Sequence, residues 1–219
     1  MLIGLVGFIG SGKGTVGDIL CDFGFTKQSF AGPVKDVASV MFDWPRYLLE
    51  GDTNESRKFR EAPCPFWSKM MGRDFTPREA LQKLGTEVGR DTFDKNFWVL
   101  RLQQRLNSNE NVVLTDTRFP NEIKWIHQQG GIVIEVQRGA NPDWYYDFVD
   151  YNQIGVYNKK PNIDIHPSET AWIGEQVDAT LHNDGTVEDL RVGVENLLTR
   201  FYGKSKIDLL LKGSEYETI

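Results

Sequence analysis

The sequence is poor in cysteine and histidine, with two cysteines and three histidines in 219 residues. Cys21 and Cys64 build neither a disulfide framework nor a zinc pattern, and are expected to be one core thiol and one loop thiol. No apolar run reaches the length of a membrane span, so no membrane partner is expected. The N-terminus has no basic leader and no small-residue cleavage site, which argues against a secretory signal. There is no internal repeat and no low-complexity segment. Positive charge is in deficit: 25 Lys and Arg against 31 Asp and Glu leave a net charge of -6. That balance argues against an extended nucleic-acid-binding surface while leaving room for a local basic pocket. Together these absences lead to the expectation of a cytoplasmic protein without direct nucleic-acid binding.

What is present fits an ordinary globular chain, 40% hydrophobic and 26% charged, long enough to bury a real core. Short apolar strands alternate with amphipathic stretches. LIGLV opens the chain, and the stretch from Gly14 to Phe23 places Val16, Ile19, Leu20 and Phe23 at helical spacing. A short strand is expected around Thr26 to Phe30, followed by a helix over AGPVKDVASVMF with Pro33 in its first turn. In TPREALQKLGTEVGR, Thr76 and Glu79 have the pattern of a capping box. FDKNFWVLRLQQRL reads as a helix with Phe97, Leu100 and Leu106 among its core candidates. NVVLTD, GIVIEVQR and VDATLHN read as further strands, with helices over FPNEIKWIHQQG and TVEDLRVGVENLLTRFY. This alternation predicts an open α/β parallel sheet flanked by helices, with ligands at the carboxyl ends of its strands.

Directly after the first strand comes GFIGSGKGT, with the spacing G-x-x-x-x-G-K of a phosphate loop. Its glycines let successive N–H groups turn toward phosphate oxygens, and the following helix adds its positive end. Gly10, Ser11, Gly12, Lys13, Gly14 and Thr15 are therefore candidate phosphate ligands, with Lys13 reaching the outer phosphates. Gly14 stands where a magnesium-binding hydroxyl is usual, and Thr15 follows one place later. This GxGKGT form is seen in nucleoside monophosphate kinases.

Asp116 ends an apolar strand, where a phosphate-loop enzyme holds magnesium or its waters; a helix N-cap is the other reading of that aspartate. Arg118 and Glu122 follow closely. Cations able to neutralise phosphate are Lys35, Arg57, Arg60, Arg78, Arg90, Arg118 and Arg138. Trp67 and Trp98 read either as base-stacking or as core aromatics, and His166 as a pocket residue or a cap.

The stretches GFIGSGKGT, AGPVKD, TPREALQKLGTEVGRDTF, FWVLRL, TDTRFPNE, IHPSE and HNDGTVEDL run in one order along the chain. Together they resemble the phage deoxynucleoside monophosphate kinases, phosphate-loop enzymes of the adenylate-kinase-like class. The resemblance implies ATP and Mg2+ with a dNMP as acceptor, and a host-cytoplasmic location if the chain is phage-encoded. It implies that Lys35, Arg78, Gln82, Gly85, Thr86 and Trp98 line the monophosphate site. Lys13, Asp116, Arg118 and Glu122 would be catalytic, with Thr15 and Asp116 toward the metal, and Asn183, Asp184 and Gly185 near the ATP base. Arg57, Arg60 and Arg138 are added on charge and location. A homodimer is possible by the same analogy.

The implied organisation is one kinase domain over 1–203. Its core is 1–43, 93–138 and 176–203, with a substrate-binding insertion at 44–92, a lid-like insertion at 139–175 and a tail at 204–219. Two rivals are a dephospho-coenzyme A kinase-like enzyme and a non-catalytic ATP-binding module.

Overall fold

The computed structural model describes residues 1–107, 110–154 and 160–214. Among these, the strands are β1 (Leu2–Val6), β2 (Thr26–Gln28), β3 (Val112–Leu114), β4 (Ile132–Gln137) and β5 (Ala179–His182). All pair in parallel, in the order β2-β3-β1-β4-β5. Parallel strands need crossovers, and the intervening helical segments supply them. β1 and β3 lie inside the sheet, so the phosphate loop and the Asp116 turn leave from neighbouring strand ends.

The chain divides into two compact units, Met1–Ser29 with Asn107–Ile219, and Phe30–Leu106. The first carries the sheet. Its core joins Ile3 and Leu5 of β1, Val113 of β3 and Ile134 of β4 to Val16, Ile19 and Leu20 of α1 (Lys13–Asp22). Leu190, Val194 and Leu198 of α10 (Val187–Tyr202) complete that layer. In the same unit α7 (Pro120–Gln128) buries Ile123, Trp125 and Ile126. Gly4 permits its approach, because a Cβ there would run into the Ile126 side chain.

The second unit holds α2 (Gly32–Phe42), α3 (Asn54–Glu61), α4 (Pro65–Met71), α5 (Pro77–Lys83) and α6 (Phe97–Arg105), with a 3-10 turn over Arg46–Leu49. The expected 44–92 insertion is therefore flanked by α2 and α6 in the same unit. Phe42 stacks on Trp44 with centroids 4.5 Å apart and meets Trp67 edge-on at 5.3 Å, an aromatic cluster that carries this irregular region.

Three local expectations are corrected. The segment after α5 does not continue as an α-helix but winds into a π-helix over Leu84–Phe93. Thr76 accepts from the Glu79 N–H at 3.1 Å, but the Glu79 carboxylate turns to Arg73, 2.8 Å from each terminal nitrogen, and no reciprocal bond closes the box. Leu100 is exposed, because the buried stripe of α6 runs through Trp98, Val99 and Leu102 and leaves Leu100 on the other face.

The expected tail is in part a helix, α11 (Lys204–Ser214), whose Ile207 is 2% exposed and belongs to the sheet core. Residues 215–219 of that tail, and 155–159 of the lid-like segment, lie outside the described residues. The rest of 139–175 carries α8 (Tyr145–Ile154) and α9 (Pro167–Thr170).

Candidate active site

In the sheet unit, the chain leaves β1 through Gly7 and turns back at Ser11, whose N–H donates to the Phe8 carbonyl at 3.1 Å. Gly7 lies against the end of β4: a side chain there would strike the Val136 carbonyl. Gly12, the N-cap of α1, has φ 103, a left-handed conformation that glycine adopts without strain. Lys13 opens α1, and its ammonium folds back to donate to the Gly7 and Phe8 carbonyls at 2.6 and 2.8 Å. Burial pulls the Lys13 pKa down to about 8, and the Arg118 charge adds to that. Glu169 and Asp116 act in the opposite direction. The Ser11 hydroxyl is buried without a hydrogen-bond partner among the described residues.

At the end of β3, Asp116 accepts from the Ser29 hydroxyl at 2.7 Å. The N-cap of α7 is Phe119, so the cap reading of Asp116 is set aside. Arg118 pairs with Glu169 of α9, Nη1 to Oε1, at 2.5 Å. Glu122 opens onto the same turn from the first turn of α7. It is 1% exposed, and its Oε2 accepts the backbone N–H groups of Arg118 and Phe119 at 2.7 and 3.0 Å. That carboxylate fixes the turn that presents Arg118; a buried charge of this kind is tolerable because it is hydrogen-bonded.

The turn after β5 closes around the loop from the other side. Asn183 donates to the Ser11 carbonyl at 2.8 Å, and Asp184 accepts the Gly139 N–H at 2.6 Å. Gly185 sits tight against Asp189 of α10, where a Cβ would lie 2.6 Å from its carboxylate. These bonds brace the loops against one another. Arg138 is exposed at the end of β4 and lines a cavity of about 110 Å3 with Phe8, Gly10, Ser11 and Asn141.

The other sequence candidates lie together in the second unit. Lys35 of α2 pairs with Glu50 at 2.5 Å, and Glu50 also pairs with Arg46. Burial opposes ionisation of Glu50, yet Lys35 and Arg46 outweigh it and hold its pKa below the usual carboxylate value. Arg57 donates to the Gly51 and Asp52 carbonyls at 3.1 and 3.0 Å, and Arg60 to the Glu50 carbonyl at 3.2 Å. Arg78 of α5 pairs with Glu61 of α3 at 2.5 Å. Gln82, Gly85 and Thr86 are half-buried on α5 and the π-helix.

Trp98 takes the core-aromatic position, one of its two readings. It is 7% exposed, its indole N–H donates to the Gly85 carbonyl at 2.7 Å, and a Cβ on Gly89 would lie 2.5 Å from its Nε1. It carries the π-helix. Trp67 donates to the Phe42 carbonyl at 3.3 Å and belongs to the aromatic cluster. His166 is the N-cap of α9, its Nδ1 accepting the Ser168 N–H at 3.2 Å.

Sequence reasoning missed Ser29 and Glu169. Ser29 had a signal, since it follows β2 directly and so falls at a strand end beside that of β3. Glu169 had none beyond its place in IHPSET, because its partner lies 51 residues away.

No protein-family model matches the chain. Among curated proteins, it is 32% identical over 175 residues to a protein of Acanthamoeba polyphaga mimivirus named for deoxynucleotide monophosphate kinase activity. That match covers 72% of this chain and 86% of the relative. The deoxynucleoside-5'-monophosphate kinase of Escherichia phage T5 is 28% identical, over 56% of this chain and 70% of its own. The deoxynucleotide monophosphate kinase of Escherichia phage RB69 is 28% identical, over 55% of this chain and 44% of its own. Among solved structures, shikimate kinase from Aquifex aeolicus vf5 aligns at 13% identity with a TM-score of 0.44, covering 93% of this chain and 99% of that one. Mimivirus and phage relatives share one description across most of this sequence, and the chain belongs to the deoxynucleotide monophosphate kinase family.

Proposed function

We propose that this protein transfers the γ-phosphoryl group of ATP to the phosphate of a deoxynucleoside monophosphate, giving ADP and a deoxynucleoside diphosphate. The observation that carries the reading is the placement of the glycine loop with Lys13, and of Asp116 and Arg118, after the neighbouring paired strands β1 and β3, in a chain of this family.

The acceptor phosphate oxygen is already anionic near neutral pH, so the protein's task is positioning and charge neutralisation rather than proton abstraction. The new bond joins that oxygen to the γ-phosphorus as the bond to the β-phosphate oxygen breaks, and its electron pair stays on ADP. The N–H groups of residues 10–15 hold the phosphates. Lys13 exchanges the Gly7 and Phe8 carbonyls for phosphate oxygens, and the Ser11 hydroxyl finds a partner there. Arg118 neutralises charge on the transferring group.

The oxygen donors Thr15 and Asp116 suit a hard cation such as Mg2+, which keeps several waters and takes one or two carboxylates plus phosphate oxygens. Those two residues would hold it, and when bound it would add positive charge at the β- and γ-phosphates. In the second unit, Lys35, Arg57, Arg60 and Arg78 supply the cations of a monophosphate site, with Gln82, Gly85 and Thr86 on its wall. Their present partners are carboxylates and carbonyls, which an incoming phosphate can replace. The lid-like 139–175 segment contributes Glu169 and, beside it at the end of β4, Arg138.

The test is ADP release with ATP and magnesium across dNMPs, NMPs and dephospho-coenzyme A. Turnover on one or more dNMPs is expected. Turnover on dephospho-coenzyme A alone, or ATP binding with no turnover on any acceptor, contradicts the reading.

A further inference from the structure

Arg118 is a long side chain on an irregular turn. Glu122 fixes the backbone of that turn but not the guanidinium, whose side chain is 38% exposed. An arginine left to sample its rotamers gives up that freedom on each productive encounter. The guanidinium is instead engaged, at Nη1, by Glu169.

Glu169 stands on a rigid platform. Its own N–H donates to the His166 carbonyl at 2.9 Å, and its carbonyl accepts the Trp172 indole N–H at 3.0 Å. Trp172 is 3% exposed and packs edge-on against Phe8 of the phosphate loop, with centroids 5.2 Å apart. Asn152 of α8 donates to the Thr170 and Ile173 carbonyls at 3.0 and 2.8 Å. Ile173 is fully buried. The platform that carries the carboxylate is thus locked to the same loop that carries Lys13.

We propose that Glu169 is a positioning residue for phosphoryl transfer, holding the Arg118 guanidinium in the orientation in which it meets the transferring phosphoryl group. The inference rests on the kinase reading above. A pair exposed to this degree adds little to stability, so folding alone gives little reason for an acid beside Arg118. One carboxylate on one end of the guanidinium fork leaves the fork's geometry set, since the group is planar and its five N–H donors move together. Glu169 also offsets the repulsion between Arg118 and Lys13, two cations in one cluster.

The experiment is steady-state kinetics on the parent, E169Q, R118A and the R118A/E169Q double variant, with side-chain NMR of the Arg118 Nε–H group. That resonance is assigned by its loss in R118A. Glutamine keeps the shape of glutamate, and melting curves verify the fold. In E169Q we expect kcat to fall about 10- to 100-fold while both KM values move little, the signature of a misplaced group. The Arg118 order parameter falls with it. E169Q added to R118A causes no further loss, because the residue acts through Arg118.

An unchanged or raised kcat in E169Q overturns the proposal, and so does a further loss in the R118A background. An Arg118 order parameter identical in parent and E169Q overturns it as well, whether or not the parent turns over. A parent that turns over no dNMP fails the kinase reading instead, so the two failures are told apart.

Discussion

Raising the pH from about 7 to about 9 should weaken ATP binding roughly tenfold through Lys13 alone. The Lys13 ammonium is half-buried at the start of α1 against two loop carbonyls, and desolvation first, then Arg118, brings its pKa from 10.5 to about 8. That displacement corresponds to about 3 kcal/mol favouring the neutral amine over the ammonium, at 1.36 kcal/mol per unit. The sign is fixed: between about 8 and 10.5 the unfolded chain holds a proton the folded chain has released, so this group's contribution to stability rises with pH across that window. A docked triphosphate reverses the balance, because its negative charge favours the ammonium. Binding at about pH 9 therefore takes up close to one proton, and affinity falls by about tenfold for each further unit until the bound lysine itself titrates.

Isothermal titration calorimetry in two buffers of different ionisation enthalpy measures that uptake directly. Lys13→Met should remove both the uptake and the pH dependence. An ATP affinity equal at the two pH values, with no difference between buffers, would refute the argument that Lys13 is a desolvated phosphate ligand.

Asn183→Ala removes the bond that ties the turn after β5 to the Ser11 carbonyl, and a net loss of about 0.5–1.5 kcal/mol should raise the KM for ATP by about 2- to 10-fold in steady-state assays. Trp98→Phe keeps the aromatic bulk but leaves the Gly85 carbonyl without its indole donor. A loss of about 1–3 kcal/mol should lower Tm and raise the KM for the dNMP more than that for ATP. Ile207→Ala should cost about 2–5 kcal/mol in urea denaturation if α11 is part of the sheet core, and next to nothing if it is a loose tail.

The first half of the sheet unit is legible because its signals are local. Five apolar residues, a glycine-dense turn and a helical stripe at Val16, Ile19 and Leu20 each follow from spacing within one element, and the structure returns them as β1, the loop and α1. Asp116 is legible for the same reason, as the acid that ends an apolar strand. What the sequence hides is pairing over distance. Lys35 and Arg46 meet on Glu50 through the fold of a segment with weak periodicity, and Arg118 meets Glu169 across 51 residues. The Glu122 carboxylate accepts the N–H groups of its own turn, a bond that spacing from Asp116 does not announce. The Trp98 indole donates to a carbonyl of the π-helix, an element the sequence pattern does not signal. Leu100 fits the apolar pattern of its segment, and one residue's difference in where α6 turns inward leaves it outside.

The most direct test of the account is the fate of the γ-phosphorus. Phosphorus NMR of a reaction with ATP, magnesium and a dNMP should show the β-phosphate resonance of a deoxynucleoside diphosphate growing in step with ADP, and neither should form with Lys13→Ala. Inorganic phosphate as the sole product, or transfer that survives the loss of Lys13, would contradict it.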